Sequence, residues 1–218
     1  MGSAPGRQPL WTPDPDHSQT TEMAGFMRWV AERHSVELAD YNDLWRWSVD
    51  RLESFWADVW EFCDVRASKP YGRVLANRAM PGAVWFEGAE LNYAENLLRR
   101  ASSDREQTAV LHSSELRELR ELSWGELAQQ VAAAAAGLRE LGVGRGDRVV
   151  AYMPNIPETL VAFLATASLG AIWSSAAPEF GARSVIDRFA QIEPKVLLAI
   201  GGYGYRDRYV DRRAEVQA

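Results

Sequence analysis

Residues 148–200 read "RVVAYMPNIPETLVAFLATASLGAIWSSAAPEFGARSVIDRFAQIEPKVLLAI". Short apolar runs alternate there with longer segments whose apolar residues recur at helical spacing, and Gly, Pro or Ser marks most changes of pattern. The segments predict strands at 148–153, 171–175 and 195–200, separated by helices at 156–170 and 182–192. Strands and helices that alternate at this spacing require right-handed crossovers between neighbouring parallel strands. The sequence therefore predicts an α/β fold with a parallel sheet.

The segment before this stretch adds a strand and a helix. Residues 108–112 ("TAVLH") predict a short strand, and an amphipathic helix follows and ends near Gly142. Ser123 and Glu126 have the S-x-x-E spacing of a capping box at the start of that helix. The later helix at 156–170 is apolar nearly all round, so it should be covered on both sides. We expect that cover to require more protein than this layer alone supplies.

The first 97 residues lack this alternation. Residues 1–20 are rich in Pro, Asp, Ser and Thr and predict an extended arm. Helices are expected at 22–33 and 43–62, and residues 69–96 predict an irregular but structured connector. In the second helix the apolar residues recur at steps of three and four, namely Trp45, Val49, Leu52, Trp56, Val59, Trp60 and Cys63. Such a stripe could be an aromatic platform for a sugar or a base, but at helical spacing it is usually core.

Composition excludes several classes of function. The chain has 24 basic and 30 acidic residues, a net charge of −6, which argues against a nucleic-acid partner or a polybasic membrane surface. Its one cysteine, Cys63, cannot form an internal disulfide, and this favours the reducing cytoplasm. No apolar run approaches membrane-spanning length, and the N-terminus lacks the apolar core of a signal peptide. We therefore expect a cytoplasmic protein without membrane or nucleic-acid partners.

Few motifs in the sequence could carry chemistry by themselves. The glycines of "GVGRGD" (142–147) precede a strand, whereas a dinucleotide fingerprint requires strand, loop and helix in that order. Those of "GGYGYRD" (201–207) follow a strand but lead into a charged segment that does not predict a helix. A dinucleotide-dependent reductase is thus disfavoured. The three histidines are far apart and no metal-ligand spacing occurs, so we predict no metal site and assign no catalytic residue.

One edge of the predicted sheet remains a candidate site. In open α/β sheets, ligands bind beyond the carboxyl ends of the strands, and the loop after residue 173 lies at such an end. The helix that follows Gly181 offers free N–H groups to an anion, and Arg206 and Arg208 follow the next strand. The residues at this end are Ser174, Ser175, Pro178, Glu179 and Phe180. The residues alone leave two interpretations open: an edge for an anionic ligand, or an ordinary strand–helix connection with solvated arginines.

Several segments carry a resemblance to a known family, among them "WFEGAELNYAENLL" (85–98), "GAIWSSAAPEFG" (170–181) and "DRFAQIEPK" (187–195). The first resembles short-chain acyl-CoA synthetases of the adenylate-forming superfamily. The other two are more similar to the acetoacetate–CoA ligase branch. The resemblance extends over nearly the whole chain from about residue 9. It implies a helical, Trp-rich cap region at 21–97 and the first part of an AMP-binding (adenylation) domain at 98–218.

The resemblance also implies a reaction. Such a ligase joins acetoacetate to ATP with Mg²⁺, forming an acyl-adenylate and pyrophosphate, and coenzyme A then displaces AMP. The family's phosphate loop and catalytic lysine are expected downstream of residue 218, so we expect an N-terminal part that is inactive alone. Residues that approach coenzyme A in the family match Ala177, Pro178, Glu179 and Phe180, with Arg206 and Arg208. The alternatives are a non-catalytic α/β interaction module and a ligase for another short-chain acid.

Overall fold

The computed structural model describes residues 10–217 and divides the chain into two compact units. One unit comprises the residues up to 65 together with 69–89, and the other comprises 66–68 together with the residues from 90 onward. The predicted arm at 1–20 falls partly outside the described residues, since 1–9 are not described. Within the rest of the arm, residues 15–19 form a short helix.

The first unit contains four helices and one antiparallel hairpin among its described residues. These are α1 (Pro15–Gln19), α2 (Glu22–His34), α3 (Tyr41–Asp50), α4 (Leu52–Phe62), β1 (Arg73–Asn77) and β2 (Val84–Glu87). The helix expected at 22–33 is confirmed, with Thr21 as its N-cap. The single helix expected at 43–62 is wrong, because the chain leaves helical geometry at Arg51 (φ −119°, ψ 49°) and begins a second helix there.

The break at Arg51 changes which residues form the core. Phe26, Val30 and Leu44 are buried, and Trp47 packs on Phe55 with ring centroids 6.3 Å apart. Trp45, which the predicted stripe placed in the core, is 56% exposed. The continuous stripe is therefore wrong, because α3 and α4 each present their own apolar face.

A buried carboxylate joins two helices of this unit. Asp58 on α4 is almost fully buried, and its Oδ2 lies 2.6 Å from Nε2 of His34 at the end of α2. Its Oδ1 lies 3.4 Å from Nε of Arg33. A buried charge requires such partners, and here they stabilise the packing of α4 on α2.

The second unit contains the parallel sheet. Its elements are α5 (Tyr93–Leu98), α6 (Arg100–Ser103), β3 (Thr108–Ser114), β4 (Arg117–Ser123), α7 (Trp124–Glu140), β5 (Arg148–Tyr152), α8 (Pro157–Ser168), β6 (Ile172–Ala176), α9 (Ala182–Ala190), β7 (Val196–Ala199), β8 (Gly202–Tyr205), β9 (Arg208–Asp211) and α10 (Arg213–Gln217). Strands β6, β5 and β7 form a parallel sheet in that order. The predicted α/β fold is confirmed, with boundaries within two residues for the three strands.

Two antiparallel hairpins accompany the sheet. Strand β3 pairs with β4, and β8 pairs with β9. The capping box is confirmed where β4 leads into α7: Glu126 N–H donates to Ser123 Oγ at 3.2 Å, and Ser123 N–H donates to Glu126 Oε2 at 2.9 Å. No such cap occurs at α8, where Ile156 is the N-cap residue and makes no side-chain hydrogen bond.

The two faces of the parallel sheet are covered differently. Helix α8 packs on one face between the sheet and helices α7 and α5, and Leu164 and Ala165 are fully buried there. The expectation that α8 needs additional protein is therefore wrong, because helices of the same unit already cover it. On the opposite face α9 packs over Val150, but Ile172 and Leu197 stay about half exposed.

Candidate functional site

The carboxyl edge of the parallel sheet is the candidate site. Tyr152, Ala176 and Ala199 are the last residues of β5, β6 and β7, and they are register partners across the sheet. The three strand ends therefore meet at one edge, where the loop 177–181 leaves β6 and leads into α9. Ser174 and Ser175 belong to β6 and do not form part of this loop.

The loop 177–181 combines one buried residue with exposed neighbours. Pro178 is fully buried, whereas Ala177, Glu179 and Phe180 are exposed. Phe180 N–H donates to Ala177 O at 3.1 Å and closes a turn, and the guanidinium of Arg188 lies 5.4 Å from the Phe180 ring centroid. The buried proline anchors the loop, so the other three side chains face outward.

Tyr152 connects the central strand to this loop. Its side chain is only 4% exposed, and its hydroxyl lies 2.9 Å from Pro178 O and 2.7 Å from Phe180 O. Burial raises the pKa of Tyr152, Arg212 acts in the opposite direction, and Glu215 adds a smaller upward contribution. The hydroxyl is therefore a protonated donor near neutral pH. The sequence does not single out this residue, since its one signal is a tyrosine near the end of an otherwise aliphatic run.

Arg206 and Arg208 lie on the β8–β9 hairpin. Arg206 and Asp207 both have positive φ (48° and 59°), as a two-residue hairpin turn requires. The backbone N–H of Arg206 donates to Oε1 of Glu115, which lies in the turn between β3 and β4, at 3.2 Å. Within residues 10–217, no hydrogen bond, ion pair or cation–ring contact joins either arginine to the loop 177–181. The structure thus brings the four loop residues together but does not connect these two arginines to them.

Arg212 is the arginine that lies beside the sheet edge. Its backbone N–H donates to Gly201 O at 2.8 Å, just after β7 ends, and its guanidinium Nη1 lies 2.8 Å from Glu215 Oε1. Hydrogen bonds to Tyr203 and Glu215 raise the pKa of Arg212. Its buried Nε has no hydrogen-bond partner among the described residues. Arg206 and Arg208, in contrast, are exposed and form no ion pair in the described part of the chain.

An apolar cavity of about 260 Å³ lies beside this edge, on the incompletely covered face of the sheet. Tyr152, Phe189 and Leu197 line it together with Glu215 and Val216 of α10. Among residues 10–217 there is no cluster of three or more His, Cys, Asp or Glu side chains that could hold a metal ion. No helix described here has the length and apolarity to span a membrane. The cavity is lined almost entirely by apolar side chains, with Glu215 as its one charged lining residue.

Two family models match the chain: "Acetyl-coenzyme A synthetase N-terminus" over residues 41–97 and "AMP-binding enzyme" over residues 97–218. The second match covers more than half of the chain, so the chain belongs to the AMP-binding enzyme family.

The resemblance to acetoacetate–CoA ligases is also confirmed. The chain is 41% identical over 211 residues to an acetoacetyl-CoA synthetase of Danio rerio, covering 95% of this chain and 31% of that protein. It is 41% identical over 211 residues to an acetoacetyl-coenzyme A synthetase of Rhizobium meliloti, covering 97% and 32%. A solved acetoacetyl-CoA synthetase from Streptomyces lividans superposes with a TM-score of 0.91 and 50% identity, covering 97% of this chain and 33% of that one. The chain thus spans about a third of the length of these relatives.

Proposed function

We propose that this chain is the N-terminal part of an ATP-dependent ligase that converts acetoacetate into acetoacetyl-CoA through an acetoacetyl-adenylate. The observation that carries the proposal is the close likeness to the Streptomyces lividans enzyme over almost all of this chain. The reaction takes place in two steps. The carboxylate of acetoacetate attacks the α-phosphate of ATP and releases pyrophosphate, and the coenzyme A thiolate then attacks the acyl carbon and releases AMP.

The organisation that we propose follows the family. Residues 21–97 form the cap region after the arm at 1–20, and residues 98–218 form the first part of the AMP-binding domain. The two family models, which meet at residue 97, support this division. The groups that hold ATP and Mg²⁺ are proposed to come from sequence downstream of residue 218, because no glycine-rich loop that ends in Pro-Lys occurs here. The single cysteine supports a cytoplasmic location.

This chain is proposed to supply the coenzyme A side of the site. The backbone and side chains of Ala177, Pro178, Glu179 and Phe180 would contact the thiol-bearing arm, and Arg206 and Arg208 would bind phosphate groups. Three features support this assignment. Phe180 offers a half-exposed ring, the two guanidiniums form no ion pair within the described residues, and arginine matches phosphate geometry well. Coenzyme A itself would supply the thiolate nucleophile when bound.

The incompletely covered face of the sheet fits the same proposal. Ile172, Ile186 and Leu197 expose apolar surface around the cavity beside α9. Exposed apolar surface that is contiguous usually marks a contact with further protein. We propose that the remainder of the adenylation domain covers this face in the full-length enzyme.

The proposal is tested by product analysis on the full-length protein that carries this sequence. With ATP, Mg²⁺ and coenzyme A, we expect acetoacetyl-CoA to form from acetoacetate, with one AMP and one pyrophosphate per product. Acetate and propionate serve as comparison acids, and the 218-residue chain alone should form no product. A product from another short acid but not from acetoacetate would overturn the substrate assignment. The absence of any acyl-CoA product would favour a non-catalytic module.

A further inference from the structure

Among residues 10–217, the hydroxyl of Tyr152 makes hydrogen bonds only to the loop 177–181. The ring belongs to the apolar cluster around Val150 and Ala176, where a phenylalanine ring would fill the same space. The oxygen lies 2.9 Å from Pro178 O and 2.7 Å from Phe180 O, in a segment 26 and 28 residues further along the chain. The ring therefore packs in the core, whereas the hydroxyl contacts the loop.

The loop 177–181 has few other hydrogen bonds that fix its backbone. Its own turn has one, from Phe180 N–H to Ala177 O at 3.1 Å. Pro178 has no N–H to donate, and Gly181 O accepts from Val185 N–H at 3.2 Å at the start of α9. Across residues 10–217 no side chain other than that of Tyr152 hydrogen-bonds to the backbone of this loop. Without the hydroxyl, the carbonyl of the buried Pro178 would lose its protein donor, which is unfavourable for a buried acceptor.

We infer that Tyr152 is the positioning residue of the coenzyme A loop: its hydroxyl shares its one proton between the carbonyls of Pro178 and Phe180, so that the exposed side chains of the loop meet coenzyme A in a fixed arrangement. The inference rests on the proposed function of the loop. Tyr152 acts through the loop and touches neither ATP nor acetoacetate in this assignment, so its effect should be confined to the thiol-transfer half-reaction. A fixed loop lowers the entropy that binding must otherwise remove.

The test compares Tyr152→Phe with Tyr41→Phe in the full-length protein. Tyr41 is 59% exposed on α3 of the first unit, so removing its hydroxyl controls for the loss of a tyrosine oxygen. We expect Tyr152→Phe to raise the KM for coenzyme A by about threefold to tenfold, the range that corresponds to one net hydrogen bond. The KM values for ATP and acetoacetate, measured by pyrophosphate exchange without coenzyme A, should stay within about twofold of the parent values.

A second measurement is independent of activity. Hydrogen exchange of the same full-length variants should show faster exchange at the amides of residues 179–181 in Tyr152→Phe, with unchanged protection in α7. An unchanged KM for coenzyme A would overturn the inference, as would a proportional change in all three KM values. Loop amides as protected as in the parent would also overturn it. If the parent protein makes no acyl-CoA at all, the proposed function fails, and the exchange data alone still decide whether Tyr152 holds the loop.

Discussion

Replacing one leucine on each side of the parallel sheet tests whether one face is buried more completely than the other. Leu164 on α8 is 0% exposed and belongs to the core between the sheet, α7 and α5. Leu197 on β7 lies on the other face and is 47% exposed. Both substitutions, Leu164→Ala and Leu197→Ala, remove the same atoms, so their costs differ mainly through the surroundings of the side chain, with a smaller difference from the helix and strand propensities of alanine.

The structure sets the expected magnitudes. A fully buried Leu→Ala change costs about 3–5 kcal/mol, because it loses transfer free energy and leaves a cavity. Full burial of a leucine side chain is worth about 1.5–3 kcal/mol. About half of the Leu197 side chain stays in water and no closed cavity forms, so we expect a cost of about 1 kcal/mol there. At about 2–4 °C per kcal/mol, Tm should fall by roughly 6–20 °C for Leu164→Ala and roughly 2–4 °C for Leu197→Ala.

Urea unfolding of the 218-residue chain, followed by circular dichroism and by tryptophan fluorescence, measures both costs. Two probes are needed because two compact units need not unfold together, and a single free energy of unfolding is defined only where the transitions coincide. Equal losses of stability at the two positions would refute the asymmetric cover. A larger loss at Leu197 would mean that the face beside α9 is closed by contacts absent from this structure.

Two further predictions concern polar contacts within the second unit. Hydrogen bonds from Gly144 N–H and Lys195 lower the pKa of Asp147 below its ordinary 3.8. The ionised carboxylate therefore stabilises the fold above about pH 4, and this stabilisation is lost as the pH falls through the lowered pKa of the folded state. Asp147→Asn should therefore show a weaker loss of stability below about pH 4, measured by acid titration with circular dichroism; an acid transition as steep as that of the parent would contradict this. Ser123→Ala removes the acceptor for the Glu126 N–H and should cost about 1 kcal/mol, seen as a lower urea midpoint; a midpoint within error of the parent would mean that the capping box contributes nothing.

Much of the second unit could be predicted from the sequence, because its strands are continuous apolar runs separated by helical patterns. The packing of other helices over α8 could not be predicted, since it depends on contacts with α5 that are distant in sequence. One example is the Tyr93 ring, which lies 5.7 Å from the Phe163 ring across some 70 residues of sequence. Strand β4 was missed because "RELRELS" is charged and nearly all exposed, so no face of it shows an apolar pattern. The break at Arg51 was missed because neither Gly nor Pro marks it.

The candidate site was predictable only in part. The position of the loop 177–181 follows from the rule that strands of a parallel sheet end at one edge. The contact with Tyr152 does not, because it depends on how a ring packs across the sheet. The β8–β9 hairpin, in which the backbone N–H of Arg206 contacts Glu115, could not be predicted either. The segment "GYGYRDRYVDR" gives no helical or apolar signal, and its turn uses positive φ at Arg206 and Asp207, without glycine.

Acetoacetate-dependent exchange of labelled pyrophosphate into ATP, measured on the full-length protein that carries this sequence, tests the central claim most directly. The exchange reports formation of the acyl-adenylate and needs no coenzyme A. We predict exchange with acetoacetate at a rate well above that with acetate, and none with the 218-residue chain alone. Exchange with acetate but not with acetoacetate would contradict the assignment to acetoacetate activation, and exchange by the isolated chain would contradict its assignment as a part that is inactive alone.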